Sequence, residues 1–185
     1  MRPHVLGIDD APFTKHKDET VPVVAVMMEG ATLVDGVGIN RMKIDDPDAS
    51  QFLIDWIKEL RWTPSLQGIV FGGITIAGLG LLHLPTLARE LNLPILTVTR
   101  QDTQDSTLDT ALKAAGLSEL LPVLNDNPSS IEIDEGIFAS FCGTTKREAK
   151  KLIHSTLQKS TMPEPLRIAH LSGAALVNGE SKGRV

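Results

Sequence analysis

The chain has 185 residues and a formal net charge of −5, and 42% of it is apolar, with five Phe, two Trp and no Tyr. That charge argues against broad, sequence-blind binding of nucleic acid, which needs clustered Lys and Arg to neutralise phosphates, and the few aromatic rings offer few stacking platforms; a small local site stays open. The lone Cys142 cannot form an internal disulfide, no apolar run is long enough to span a bilayer, and Met1–Asp9 carries no signal-peptide pattern, so the cytoplasm is the expected location.

No Pro/Gly/Ser-rich stretch divides the chain, which predicts one domain over residues 1–185 with a flexible tail at 178–185. His4–Asp9 is a short apolar run ending in acid, and Val21–Glu29 and Thr32–Ile44 are β-rich runs joined by the Gly30–Ala31 turn, which together predict an antiparallel meander. Asp46 or Asp48 can cap a helix over Ala49–Leu60, where Phe52, Leu53, Trp56, Ile57 and Leu60 recur at helical spacing. A buried strand at Gly68–Phe71, a helix at Leu82–Leu91, a strand at Pro94–Thr99 and a helix at Thr107–Ala115 closed by Gly116 then alternate, which predicts parallel pairing with right-handed crossovers. Beyond Pro128 the pattern weakens. It allows a small strand at Ser130–Asp134, a capping box at Thr145–Glu148 opening a helix over Lys146–Leu157, and a last helix from Pro163–Pro165 carrying Leu166, Ala169, Leu171 and Ala174.

Three antiparallel strands, a helix and then parallel strands give an α/β fold of ribonuclease H-like order: a mixed sheet flanked by helices. In that order the first strand supplies a carboxylate at the sheet centre, and acids from several strand ends can gather around a hard divalent cation. Asp9 and Asp10 end the first strand, and because neighbouring strand residues point to opposite faces, only one of the two should enter a shared site. Asp45, Asp46 and Asp48 stand at a strand-to-helix junction, where at least one is expected to cap the helix and the others are available for metal. Phe71–Gly80 (FGGITIAGLG) is a glycine-rich connection that could let backbone approach a phosphate, although it matches neither common nucleotide-binding pattern, and tight chain reversal explains it equally well. His83, among leucines, reads as a satisfied, partly buried histidine; Cys142 reads as structural; and Lys146, Arg147, Lys150 and Lys151 read as a solvated helix face.

The words Val5–Phe13 (VLGIDDAPF), Ile44–Ser50 (IDDPDAS), Gly73–Gly78 (GITIAG), Leu93–Arg100 (LPILTVTR) and Leu166–His170 (LRIAH) occur in this order over most of the chain. No single word is specific, but the ordered set resembles the archaeal endonuclease dU family, which is similar to endonuclease V. The resemblance implies an endonuclease-V-like fold, a Mg²⁺ or Mn²⁺ ion held by carboxylates, and cleavage of DNA at deaminated bases such as deoxyuridine. Carried over to this chain, it implies Asp9 as the first-strand ligand, Asp45 or Asp48 as the second acidic position with Asp10 beside them, and Arg100 near the scissile phosphate. It also implies Gly73, Thr75, Gly78, Arg167 and His170 as substrate contacts. The chain departs from the pattern at Gly72-Gly73, where Asp-Gly is expected, so one carboxylate of the cluster is missing. The expected partner is DNA bearing a deaminated base, with RNA as a second nucleic-acid candidate, no membrane, and an open oligomeric state. The alternative is a non-catalytic nucleic-acid- or protein-binding member of the same fold with a degenerate acidic site; a third is a small-molecule phosphate enzyme using the glycine-rich turn.

Overall fold

The computed structural model describes residues 2–100 and 106–181; the end of the expected flexible tail, 182–185, lies outside the described residues. The chain opens with strands β1 (His4–Asp10), β2 (Thr20–Glu29) and β3 (Leu33–Lys43), followed by helix α1 (Ala49–Glu59) and strand β4 (Gly68–Phe71). A short hairpin of β5 (Thr75–Ile76) and β6 (Gly80–Leu81) leads to helix α2 (Leu84–Leu91), strand β7 (Ile95–Thr99) and helices α3 (Ser106–Ala114) and α4 (Leu121–Asp126). Strands β8 (Ile131–Asp134) and β9 (Ile137–Cys142) and helices α5 (Lys146–Thr156) and α6 (Glu164–Asn178) complete it.

The main sheet has the order β3-β2-β1-β4-β7-β9-β8. Strands β1 to β3 pair antiparallel, β4 and β7 extend the sheet parallel to β1, and β9 and β8 pair antiparallel on the far side. The antiparallel start and parallel centre follow the sequence expectation. Of the closing hairpin, β8 falls within the small strand expected at Ser130–Asp134, whereas β9 has no counterpart in the sequence reading: Ile137–Cys142 is made a strand by its pairing with β7 on one side and β8 on the other.

Period-two alternation assigns each strand's faces. From β2, Val21, Val23, Ala25 and Met27 pack into the core shared with Leu53 and Ile57 of α1 and Leu84 and Leu87 of α2, whereas Val24, Val26 and Met28 pack against Ala169 of α6. In β1, Leu6 and Ile8 join the α1 and α2 side, and Val5 joins Leu166 on the other. Gly7 is required there because a Cβ would overlap the Pro165 and Leu166 backbone. At the other end of the same contact, a Cβ on Gly173 would stand 3.1 Å from Ala11 Cα. The two glycines seat α6 directly on β1, and that seating sets the geometry of the strand's acidic end.

Candidate active site at the carboxyl end of the central strands

Because β1, β4 and β7 run parallel, their carboxyl ends share one edge of the sheet, the edge at which open α/β sheets bind ligands. Asp9 and Asp10 end β1, Gly72 directly follows β4, and the exposed Arg100 directly follows β7.

Asp9 lies two residues beyond Gly7 and so faces α6. On that helix His170 sits between the two seating points, and its Nδ1 is 2.8 Å from Asp9 Oδ2. The Asp9 side chain is 23% exposed and that of His170 46%, so the pair is half-sheltered yet reachable from solvent. Burial pushes the Asp9 carboxyl up to about 6, the neighbouring Asp10 carboxylate adds to the rise, and the hydrogen bond from His170 offsets part of it.

Asp10 points the other way and accepts from the Ala77 N–H at 2.9 Å; burial raises its pKa too. Ala77 also accepts, through its carbonyl, from the Asp45 N–H at 2.9 Å, and Asp45 Oδ1 accepts from the Leu79 N–H at 2.7 Å. This joint holds three residues in the left-handed region, Asp45 (φ 55°), Ala77 (φ 52°) and Gly78 (φ 89°). Gly78 is needed twice over, since a Cβ there would also overlap Asp45 Oδ1. Thus Asp10 and Asp45 clamp the β5–β6 hairpin to the end of β1, and the glycine-rich segment is a hairpin joint rather than a bare loop before a helix.

The remaining expected residues divide between this edge and other tasks. Asp46 Oδ1 accepts from the Asp48 N–H at 3.0 Å, while Asp48 occupies the N-cap position of α1 with no side-chain capping bond and is exposed. Gly73 has open space where a Cβ would stand, and Thr75 opens β5. Arg167 is held by a two-pronged pair with Glu164 at 2.6 to 3.0 Å, and Glu164 is only 4% exposed. That contact fixes the first turn of α6 and compensates a buried carboxylate. His83 bonds Thr86 Oγ1 at 2.7 Å and Asp126 Oδ2 at 2.8 Å, and Lys150 pairs with Asp134 at 3.2 Å.

Among the described residues, no three of Asp9, Asp10, Asp45 and Asp48 bring donor atoms within 4.8 Å of one another. Asp9 and Asp10 are the adjacent pair. Burial favours protonation of both when nothing neutralises them, the Asp10 charge adds to the rise at Asp9, and oxygen donors of this kind suit a hard divalent cation. At Gly72 an added Cβ would meet only Leu166 Cδ2, at 3.9 Å, which places that position on the α6 side with Asp9. The missing carboxylate of the expected cluster therefore leaves space level with Asp9. The Asp9–His170 pair itself is the relationship that sequence reasoning missed; the glycines at 7 and 173 are the signal that could have found it.

A sheet of this order, antiparallel first and parallel at its centre with helices on its faces, has the ribonuclease H-like fold, and solved structures bear it out. Endonuclease V from Bacillus subtilis superposes with a TM-score of 0.64 at 14% identity, over 95% of this chain and 81% of that one. Endonuclease V from Ciona intestinalis, in complex with a DNA containing an inosine followed by a ribo-adenosine, gives 0.57 at 15% identity, over 91% and 82%. A protein of unknown function from Archaeoglobus fulgidus gives 0.88 at 29% identity, over 96% and 100%. The chain belongs to the endonuclease dU family, which it matches over residues 2–177. Relatives include the UPF0215 proteins of Archaeoglobus fulgidus, 31% identical over 97% of this chain and 96% of that one, and of Thermococcus sibiricus, 31% identical over 96% and 94%. Among the described residues, no helix is long and apolar enough to cross a membrane.

Proposed function

We propose that this chain is a metal-dependent endonuclease that cleaves DNA containing deaminated bases such as deoxyuridine, acting in the cytoplasm. The observation that carries the reading is the Asp9–His170 pair at the carboxyl edge of the central strands in a member of the endonuclease dU family. The fold shared with endonuclease V, one of which is seen bound to inosine-containing DNA, supports nucleic acid as the partner.

Asp9 would hold Mg²⁺ or Mn²⁺, with Asp10, whose carboxyl interacts with that of Asp9 although the two side chains leave β1 on opposite faces, as the second donor. Such an ion supplies a Lewis acid for the phosphate and lowers the pKa of a bound water towards neutrality. His170 donates to Asp9 and so keeps that carboxylate ionised and oriented. Arg100 stands at the end of β7, two strands or roughly 10 Å across the sheet from β1, within reach of a phosphate laid along the edge. The open face at Gly73 and Thr75 lies beside the same edge and would receive the displaced base. A cleft of about 590 Å³ adjoins Asp45, with Lys15, His16 and Lys43 on its wall beside the acids Asp18 and Glu19, so its charge is mixed.

The test is incision of labelled duplexes carrying one deoxyuridine, one deoxyinosine or no modification, with Mg²⁺ or Mn²⁺. Metal-dependent cleavage of a modified duplex over the unmodified one supports the reading. Binding of DNA without incision under either metal supports the second reading, a non-catalytic binding member of the fold, which the absence of a carboxylate at Gly72 favours.

A further inference from the structure

We propose that His4, Glu29 and Asp35 form a second cation site, selective for Zn²⁺ over Mg²⁺, at the end of the sheet opposite Asp9. The two ends are five residues apart along β1, roughly 17 Å, so one ion cannot serve both. The inference does not rest on the nuclease reading.

Three adjacent strands supply the donors. His4 on β1 is directly opposite Glu29 on β2, and Glu29 is directly opposite Leu33 on β3. Between β2 and β3 the register slips: Met27 faces Gly36 and Met28 faces Val34, which leaves Asp35 as the extra residue of a bulge. The bulge re-aims that carboxylate towards His4, whose Nε2 lies 3.1 Å from Asp35 Oδ2. One donor atom from each of the three residues falls within 4.8 Å of the other two. The His4 backbone is fixed on its other side by Gln67, whose Oε1 accepts from the His4 N–H at 3.1 Å and whose N–H donates to the His4 carbonyl at 2.8 Å. The imidazole is thus held on a rigid strand while the two carboxylates converge on it.

Donor chemistry sets the preference. One imidazole nitrogen with two carboxylate oxygens suits Zn²⁺ and its transition-metal neighbours, whereas Mg²⁺ and Ca²⁺ select oxygen alone. Metal–ligand distances of about 2.1 Å about a tetrahedral Zn²⁺ separate the donors by roughly 3.4 Å, near the His4–Asp35 spacing of 3.1 Å, and modest rotation of Glu29 brings in the third. With side chains 32% and 29% exposed at His4 and Asp35, water can complete the coordination.

The experiment is calorimetric titration of chelator-stripped full-length protein with ZnCl₂, comparing wild type with His4→Ala, Glu29→Gln and Asp9→Asn, each checked by circular dichroism. The expected result is a Zn²⁺-binding event that His4→Ala abolishes, that the isosteric Glu29→Gln weakens tenfold or more, and that Asp9→Asn and a hundredfold excess of Mg²⁺ leave in place. Isotherms of His4→Ala and Glu29→Gln that match wild type would reduce the cluster to an ordinary His–Asp ion pair and overturn the proposal. Loss of the event in Asp9→Asn would assign the ion to the other end of the sheet and overturn it equally. Failure of DNA incision leaves both outcomes unaffected.

Discussion

His170 Nδ1 stands 2.8 Å from Asp9 Oδ2, a contact between residues 161 positions apart in sequence. The seating of α6 on β1 through Gly7 and Gly173 produces it. Because the histidine donates to the carboxylate, it opposes the burial that pushes Asp9 up to about 6. Replacing His170 with Ala removes that opposition, so the Asp9 carboxyl moves further up. The acid limb of the pH profile of kcat/KM should shift to higher pH, so that activity falls more at pH 6 than at pH 8. An unchanged limb would show that His170 does not act on Asp9.

Asp9 should weaken the fold when no cation is bound. Its pKa in the folded chain, about 6, lies above the ordinary 3.8, so the native state binds this proton more tightly than the unfolded chain does. The stability this confers is complete below pH 3.8 and is lost as pH rises through about 6. Asp9→Asn, neutral at every pH, should therefore be more stable than metal-free wild type at pH 7.5 by about 1 to 2 kcal/mol, and the gap should close towards pH 4. Urea denaturation at the two pH values measures it.

Gly72 has room for a carboxylate on the α6 side, and its φ is not in the left-handed region. Gly72→Asp should change stability by less than about 1 kcal/mol and tighten Mn²⁺ binding about tenfold, read by calorimetry. Tolerance without tighter binding would show that this side chain does not share an ion with Asp9.

Asp45 and Asp48 should separate cleanly. Asp45 accepts from Leu79 and holds φ 55°, so Asp45→Ala loses a sheltered acceptor and places a β-carbon residue without local hydrogen bonding in the left-handed region, destabilising by about 2 kcal/mol. Asp48, with no capping bond, should tolerate Ala within about 0.5 kcal/mol. Thermal melts of the two variants give the comparison.

Much of this architecture is legible in the sequence because local signals carry it: the alternating run of β2, the helical spacing in α1, and the Thr145 cap, whose Oγ1 does accept from the Glu148 N–H at 3.3 Å. Strand β9 escapes because Ile137–Cys142 owes its state to its place between β7 and β8, and the β7 partner is distant in sequence. The site is legible only in part. Asp9 follows from its place at the end of the first apolar run, but whether Asp45 meets an ion or a backbone amide depends on how the β5–β6 hairpin folds back, a long-range matter. Arg167 shows the same limit: its charge is visible in sequence, and its engagement with buried Glu164 is not.

The central claim is that Asp9 serves catalysis. Incision of a deoxyuridine duplex with Mn²⁺ by wild type and by Asp9→Asn, with DNA affinity measured alongside, tests it most directly. The expected result is a loss of incision of a hundredfold or more with DNA binding kept within a few-fold, in a protein whose melting temperature is equal or higher. Incision by Asp9→Asn at the wild-type rate would contradict the account and move the active centre away from the carboxyl end of β1.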